Sequence, residues 1–144
     1  MNETLVTLQG NVGGPVKLRA AGGTVAASFR LACTPRRYQR ATDTWSDEET
    51  QWYTVNVWRG LADNCAASLR TGDAVFVSGR MSLHTWVNND GVQQQTWEVT
   101  AVAVGHDLNR GTSSFVRPAR PEAPAGTVEP ATEAPPDRAD VAAA

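Results

Sequence analysis

The chain has 144 residues, 41% of them hydrophobic, and a formal net charge of −2. That length suits a single domain, and so small a net charge gives no sign of a polyanionic partner. No run approaches the roughly 18 apolar residues of a membrane span, and "MNETLVTLQG" has neither a basic leader nor a long apolar stretch. The expected location is therefore the cytoplasm, with no membrane partner.

In chain order, "TLVTLQG" (4–10) reads as a strand that ends at the Gly-rich turn "GNVGGP". "VAASFRLACT" (25–34) sets Phe29, Leu31 and Cys33 against Ser28, Arg30 and Ala32, the two-residue period of a half-buried strand. "WYTVNVW" (52–58) is a third strand, with Tyr53, Val55 and Val57 inward. "GLADNCAASLRTGD" changes period: Leu61, Cys65 and Leu69 recur every four residues beside Ala62 and Ala66, one helical stripe closed by "TGD". "AVFVSGR" (74–80) returns to strand. "MSLHTWV", "NNDG" and "VQQQTWEVTAVAVG" form a hairpin around Asn89-Asp90-Gly91. The glycine pairs at 13–14 and 22–23 read as turns.

Composition shifts near Gly111. Segment 112–144 holds six of the eight prolines and few large apolar residues, too little to offset its ordering entropy, so it is expected to be a disordered tail. Residues 1–111 form the expected folded domain, with ten basic and ten acidic residues. Asp43, Asp47, Glu48 and Glu49 cluster in "DTWSDEE", and without that loop the body is mildly basic.

Three strands, a helix and two more strands predict an all-β fold, a five-stranded barrel with one α-helix between strands three and four. This is the OB-fold, whose second and third strands carry oligonucleotides or oligosaccharides.

The second face of "WYTVNVW" holds Trp52, Thr54, Asn56 and Trp58, two large rings on a polar side. Trp86 repeats the pattern, sharing parity with Ser82 and His84, and Tyr38 lies among Arg36, Arg37 and Arg40. An exposed ring stacks on any base for on the order of 1–3 kcal/mol, and nearby arginines neutralise phosphates. Trp52 and Trp58 lie roughly 20 Å apart along a strand, a span for two bases. Arg30 faces the same side and Arg59 follows Trp58. Lys17, Arg19, Arg70, Arg80 and His84 complete the candidate backbone contacts, each equally consistent with a solvated surface charge. Trp97 shares parity with Val99, Ala101 and Ala103 and is expected in the core or an interface. Trp45, in the acidic loop, is left outside the site.

Cys33 and Cys65 lack a CxxC or histidine partner at zinc spacing and are expected as reduced thiols, with a disulfide within or between chains as the alternative. No P-loop, GxSxG or HExxH occurs. No metal, cofactor or catalytic set is expected.

The segments "LQGNVG" with "VKLR", "GGTVAASFRLACT", "QWYTVNVWRGLADNCAASLRTGDAVFVSGRM" and "TWVNNDG…TWEVTAVAVG" resemble the bacterial single-stranded DNA-binding proteins over nearly all of 3–105. "GHDLNRGTSSF" resembles the second, paralogous form of actinobacteria. The resemblance implies an OB-fold homotetramer that wraps single-stranded DNA with little sequence preference, in replication, recombination or repair, with stacking aromatics at Tyr38, Trp52, Trp58 and Trp86. Principal family members end in an acidic tip closed by Pro and Phe that recruits other enzymes. Here the end is "DRADVAAA", so recruitment through the tail is not expected. The alternative is an OB module that binds proteins or oligosaccharides without DNA. Nothing in the sequence reads a 2′-OH, so RNA stays open beside DNA.

Overall fold

Alternating burial in the apolar strands decides the architecture, because a strand with one apolar face must cover it. The computed structural model describes residues 2–119. The chain divides after Ser113 into two units. In the second, residues 114–119 carry neither helix nor strand, and Phe115 and Val116 are exposed. The expected tail disorder beyond residue 119 and the expected loss of tail-mediated recruitment lie outside the described residues.

The first unit runs β1 (Thr4–Val12), β2 (Lys17–Ala21), β3 (Thr24–Cys33), β4 (Arg36–Gln39), β5 (Thr44–Asp47), β6 (Gln51–Trp58), α1 (Gly60–Ser68), β7 (Ala74–Val87) and β8 (Gln93–His106). The main sheet has the order β1-β7-β8-β6-β3-β2, and a further β1–β3 pairing closes it. Asn11 and Val12 meet Ala32 and Leu31 at that seam. All these pairings are antiparallel except β6–β8, which is parallel from Thr54↔Glu98 to Asn56↔Thr100. The ring β1-β3-β6-β8-β7, with the helix between its third and fourth strands in chain order, is the expected OB-fold barrel.

Three strands were not foreseen. β2 pairs with β3 across the Gly22-Gly23 turn, and β4 pairs with β5 as a separate two-stranded ribbon. The presumed acidic loop is thus partly a strand.

The core gathers the inward rows: Val12, Phe29, Leu31, Val55, Val57, Val75, Val77 and Val99, with Ala62, Cys65 and Leu69 from the helix segment. Each fully covered Val or Leu contributes on the order of 1.5–3 kcal/mol over its exposed state. The helix ends at Ser68, and Leu69 is already extended (ψ 137°) while its N–H still bonds Cys65 O at 2.9 Å.

The β7–β8 register shifts between Ser78 and Gly79: Ser78 faces Ala103, yet Gly79 faces Ala101. Val102 is the extra residue of this bulge and points outward. The shift flips the side-chain parity of β8. Ala101 is buried, Ala103 is exposed and Val104 packs on the core. Ala103 therefore departs from the row expected for it. Only glycine fits at 79, because a Cβ there would collide with the Thr100 carbonyl and with Ala101 Cα.

Candidate nucleic-acid interface

The outer faces of β2, β3 and β6 form one surface. Register places Arg19 opposite Ala26 and Ala26 opposite Trp58, a row across three strands. Lys17, Ser28 and Asn56 form the next row. Arg30 lies opposite Thr54, and Ala32 opposite Trp52. The strand period of two that buries Phe29, Leu31, Val55 and Val57 turns this set outward.

Within it, two pairs form. The Arg30 guanidinium carbon lies 5.4 Å from the Trp52 ring centroid, and that of Arg19 lies 5.7 Å from the Trp58 ring. Both are within cation–π range, a contact of about 0.5–1 kcal/mol at exposed sites. The cation lies over one face of each ring. Gly13 abuts Trp52: its N–H donates to Arg30 O at 2.8 Å, and a Cβ there would meet the indole edge at 2.5 Å. The close turn after β1 thus supports the ring.

Trp52, Trp58 and Trp86 are 46%, 40% and 43% exposed, too open for core residues. Trp86 and His84 share a face of the β7–β8 hairpin, opposite Gln94 and Thr96. Trp97 is 45% exposed and so is not a core residue. Its parity is inward, as expected, but it stands one residue before β6–β8 pairing begins, where the inward side is no longer covered.

Tyr38 sits on β4 opposite Trp45, with ring centroids 5.3 Å apart at 50°. Its hydroxyl donates to Asp43, a bond that, with some desolvation, raises the phenol pKa. Trp45, set aside on charge grounds, is thus the direct neighbour of an expected platform. The cross-strand pairing of "RRYQ" with "TWSD" was the missed signal.

Arg36 pairs with Asp47 at 3.2 Å and Arg37 with Glu48 at 3.6 Å, so two of the three arginines around Tyr38 face the acids once placed in a separate loop. These ion pairs are exposed and weak, about 0–1 kcal/mol. Arg40 is exposed in the turn between β4 and β5. Arg59 is exposed at the helix N-cap, next to Trp58. Arg70 follows the helix, and its main-chain N–H donates to Asp73. Arg80 of β7 is bound at 3.0 Å to Glu3, the residue before β1. The structure thus brings Lys17, Arg19, Arg30, Trp52 and Trp58 together, but leaves Arg70 and Arg80 off that surface. Arg19 escaped a strand assignment because "KLRAA" has no buried side to give it a period. The Gly22-Gly23 pair between "KLRAA" and "TVAAS" was a usable hairpin signal.

The sequence profile described as "Single-strand binding protein family" matches residues 3–107. The chain belongs to that family. Among family members it is 41% identical over 140 residues to "Single-stranded DNA-binding protein 2" of Streptomyces avermitilis, covering 95% of this chain and 85% of that protein. It is 42% identical over 123 residues to "Single-stranded DNA-binding protein 1" of Streptomyces coelicolor, covering 85% and 78%. The crystal structure of the small single-stranded DNA-binding protein from Streptomyces coelicolor superposes with a TM-score of 0.71 at 39% identity, covering 77% of this chain and all of that one. The second single-stranded DNA-binding protein of Mycobacterium smegmatis gives 0.61 at 30% identity, covering 81% of this chain and all of that one. The expected likeness to the actinobacterial second form is present. Among the described residues of this single-strand binding protein family member, no helix is long and apolar enough to cross a membrane.

Proposed function

We propose that the chain binds and protects single-stranded DNA with little sequence preference, as a non-enzymatic protein of the cytoplasm serving replication, recombination or repair. The observation that carries this reading is the double Trp–Arg arrangement on one outer face, Trp52 with Arg30 and Trp58 with Arg19. A base stacks on the open face of each indole, and the arginine beside it neutralises a phosphate of the same nucleotide or the next. Stacking is indifferent to base identity, which gives low sequence preference. Trp86 and Tyr38 extend the path as further platforms, with Lys17 and Arg59 as added cations. Arg36 and Arg37 contribute by exchanging exposed carboxylate contacts for phosphate, and Arg40 by direct contact.

The chain acts as a homotetramer in this reading. Leu5, Phe76 and Val102 expose apolar surface on the outer sides of β1, β7 and β8, away from the Trp–Arg face. Light scattering on the full chain tests the assembly, and a mass other than that of four copies would rule it out.

The functional test is fluorescence anisotropy with oligo(dT). Trp52→Ala combined with Trp58→Ala weakens binding by at least about thirtyfold, taking the low end of the stacking range twice. Equal affinity of variant and parent, or no binding by the parent at low salt, defeats the reading. Affinity that ignores salt favours a sugar- or protein-binding module instead. Competition by poly(U) decides between DNA and RNA.

A further inference from the structure

We propose that the cleft bounded by Gln51, Trp52, Tyr53, Met81 and Trp97, where the barrel opens, is a pocket for one nucleobase of the bound strand. The proposal rests on the single-stranded DNA reading above. Trp97 continues the inward row of the fully buried Val99, yet it is 45% exposed. The reason lies in the pairing: β6 and β8 are in contact only from Thr54↔Glu98 onward, so the barrel wall stops just short of Trp97. Leu83, opposite Trp97 on β7, is also exposed. A large indole is left bordering a space with no strand over it.

The cleft has a volume of about 520 Å³. That is within the few hundred to a thousand Å³ of small-molecule sites, and is ample for a base. Its lining sets two indoles, the Tyr53 ring and Met81 beside the Gln51 amide and the Tyr53 hydroxyl, polar and apolar surface in about equal share. The Tyr53 hydroxyl donates to Gln51 Oε1 at 3.0 Å. That bond occupies the amide oxygen and leaves the amide N–H groups to donate to a carbonyl or ring nitrogen of a base. Every base offers such an acceptor, so the pocket fits a sequence-tolerant binder.

Continuity favours a base over another occupant. Trp52 borders the cleft, and Arg30 lies over its ring on the outer surface. A strand stacked on Trp52 and neutralised by Arg30 arrives at the rim of the cleft. None of the five lining residues is a carboxylate that would repel its phosphates.

The test uses the full-length chain. Photocrosslinking of the unaltered protein to oligo(dT) carrying 5-iododeoxyuridine, read by peptide mass spectrometry, is expected to give an adduct on Trp97. Trp97→Leu is expected to weaken oligo(dT) binding by about thirtyfold, the middle of the range for one lost stacking contact, with the salt slope unchanged because no phosphate contact is removed. Trp97→Phe keeps most of the affinity. Adducts confined to Trp52, Trp58 or Trp86, with Trp97→Leu binding as tightly as the parent, overturn the pocket and leave the proposed function standing. Failure of the parent to bind at all overturns both. A smaller assembly for Trp97→Leu, with no adduct on Trp97 in the parent, assigns the ring to a subunit contact and likewise overturns the pocket.

Discussion

Asp73 shows how much one carboxylate can gather. It accepts the Arg70 main-chain N–H at 3.0 Å and faces His106 Nε2 at 3.1 Å, while His106 Nδ1 lies 2.7 Å from the Ser113 hydroxyl. The Arg70 hydrogen bond leads the causes that hold Asp73 below its ordinary value of 3.8; contact with His106 and the nearby positive charges add to it, and partial burial opposes them. A carboxylate held low in the folded state stabilises the fold above its unfolded pKa. That contribution fades as pH falls through the lowered native value. Asp73→Asn therefore lowers the calorimetric melting temperature at pH 7 by a few degrees, about 0.5–1 kcal/mol for so exposed a group, and the gap closes as pH falls below 3.8 and through the lowered native value. A gap that stays constant down to pH 2 contradicts this account. The cysteines behave more simply. Both are free, and burial raises both thiols, that of Cys65 to about 11. Asp73 with His106 was not legible, because 33 residues separate them and only the turn before β7 and the end of β8 bring them together.

Elements were legible wherever one side of them was buried. β1, β3, β6, β7, β8 and the helix each carry an apolar row with its own period, and each was found. β2, β4 and β5 are exposed almost throughout, and a strand exposed on both sides has no period to read. The start of the helix holds a different surprise. Arg59, at the N-cap, adopts φ 59° and ψ −131° and offers no side-chain cap, while its N–H donates to Val25 O at 2.7 Å. For a residue with a Cβ this conformation costs on the order of 1–3 kcal/mol. In the function proposed above, its position beside Trp58 sets a cation next to a stacking ring, a reason for arginine rather than glycine there. Arg59→Gly is expected to raise the denaturation midpoint, since glycine adopts this conformation without strain, and to lower oligo(dT) affinity by about twofold to fivefold through one lost phosphate contact. A variant that binds as before but melts higher would leave Arg59 with no role in binding.

For the whole molecule, the net charge of −2 is a poor guide to the working surface. Lys17, Arg19 and Arg30 are collected on one face by the β2–β3–β6 register, while Asp47 and Glu48 are matched to Arg36 and Arg37. Three phosphate contacts on a single strand give a log–log slope of affinity against salt of about −2 for each protomer. Arg30→Ala makes that slope shallower by about 0.7 and also strips the cation from Trp52. Titrations at four salt concentrations measure it. An unchanged slope would mean that Arg30 serves only to hold the indole.

Local periodicity was enough for the barrel, its helix and the outward rings Trp52, Trp58 and Trp86, because a period of two or of 3.6 residues records which side of an element is dry. It could not pair residues distant in sequence. That Arg30 lies over Trp52 and Arg19 over Trp58, that the acids near Trp45 face Arg36 and Arg37, and that Trp97 stands open at an inward position all depend on register, on a one-residue bulge and on where one strand stops beside another. Those are relations between elements, set when the sheet closes, and no single element carries them in its own residues.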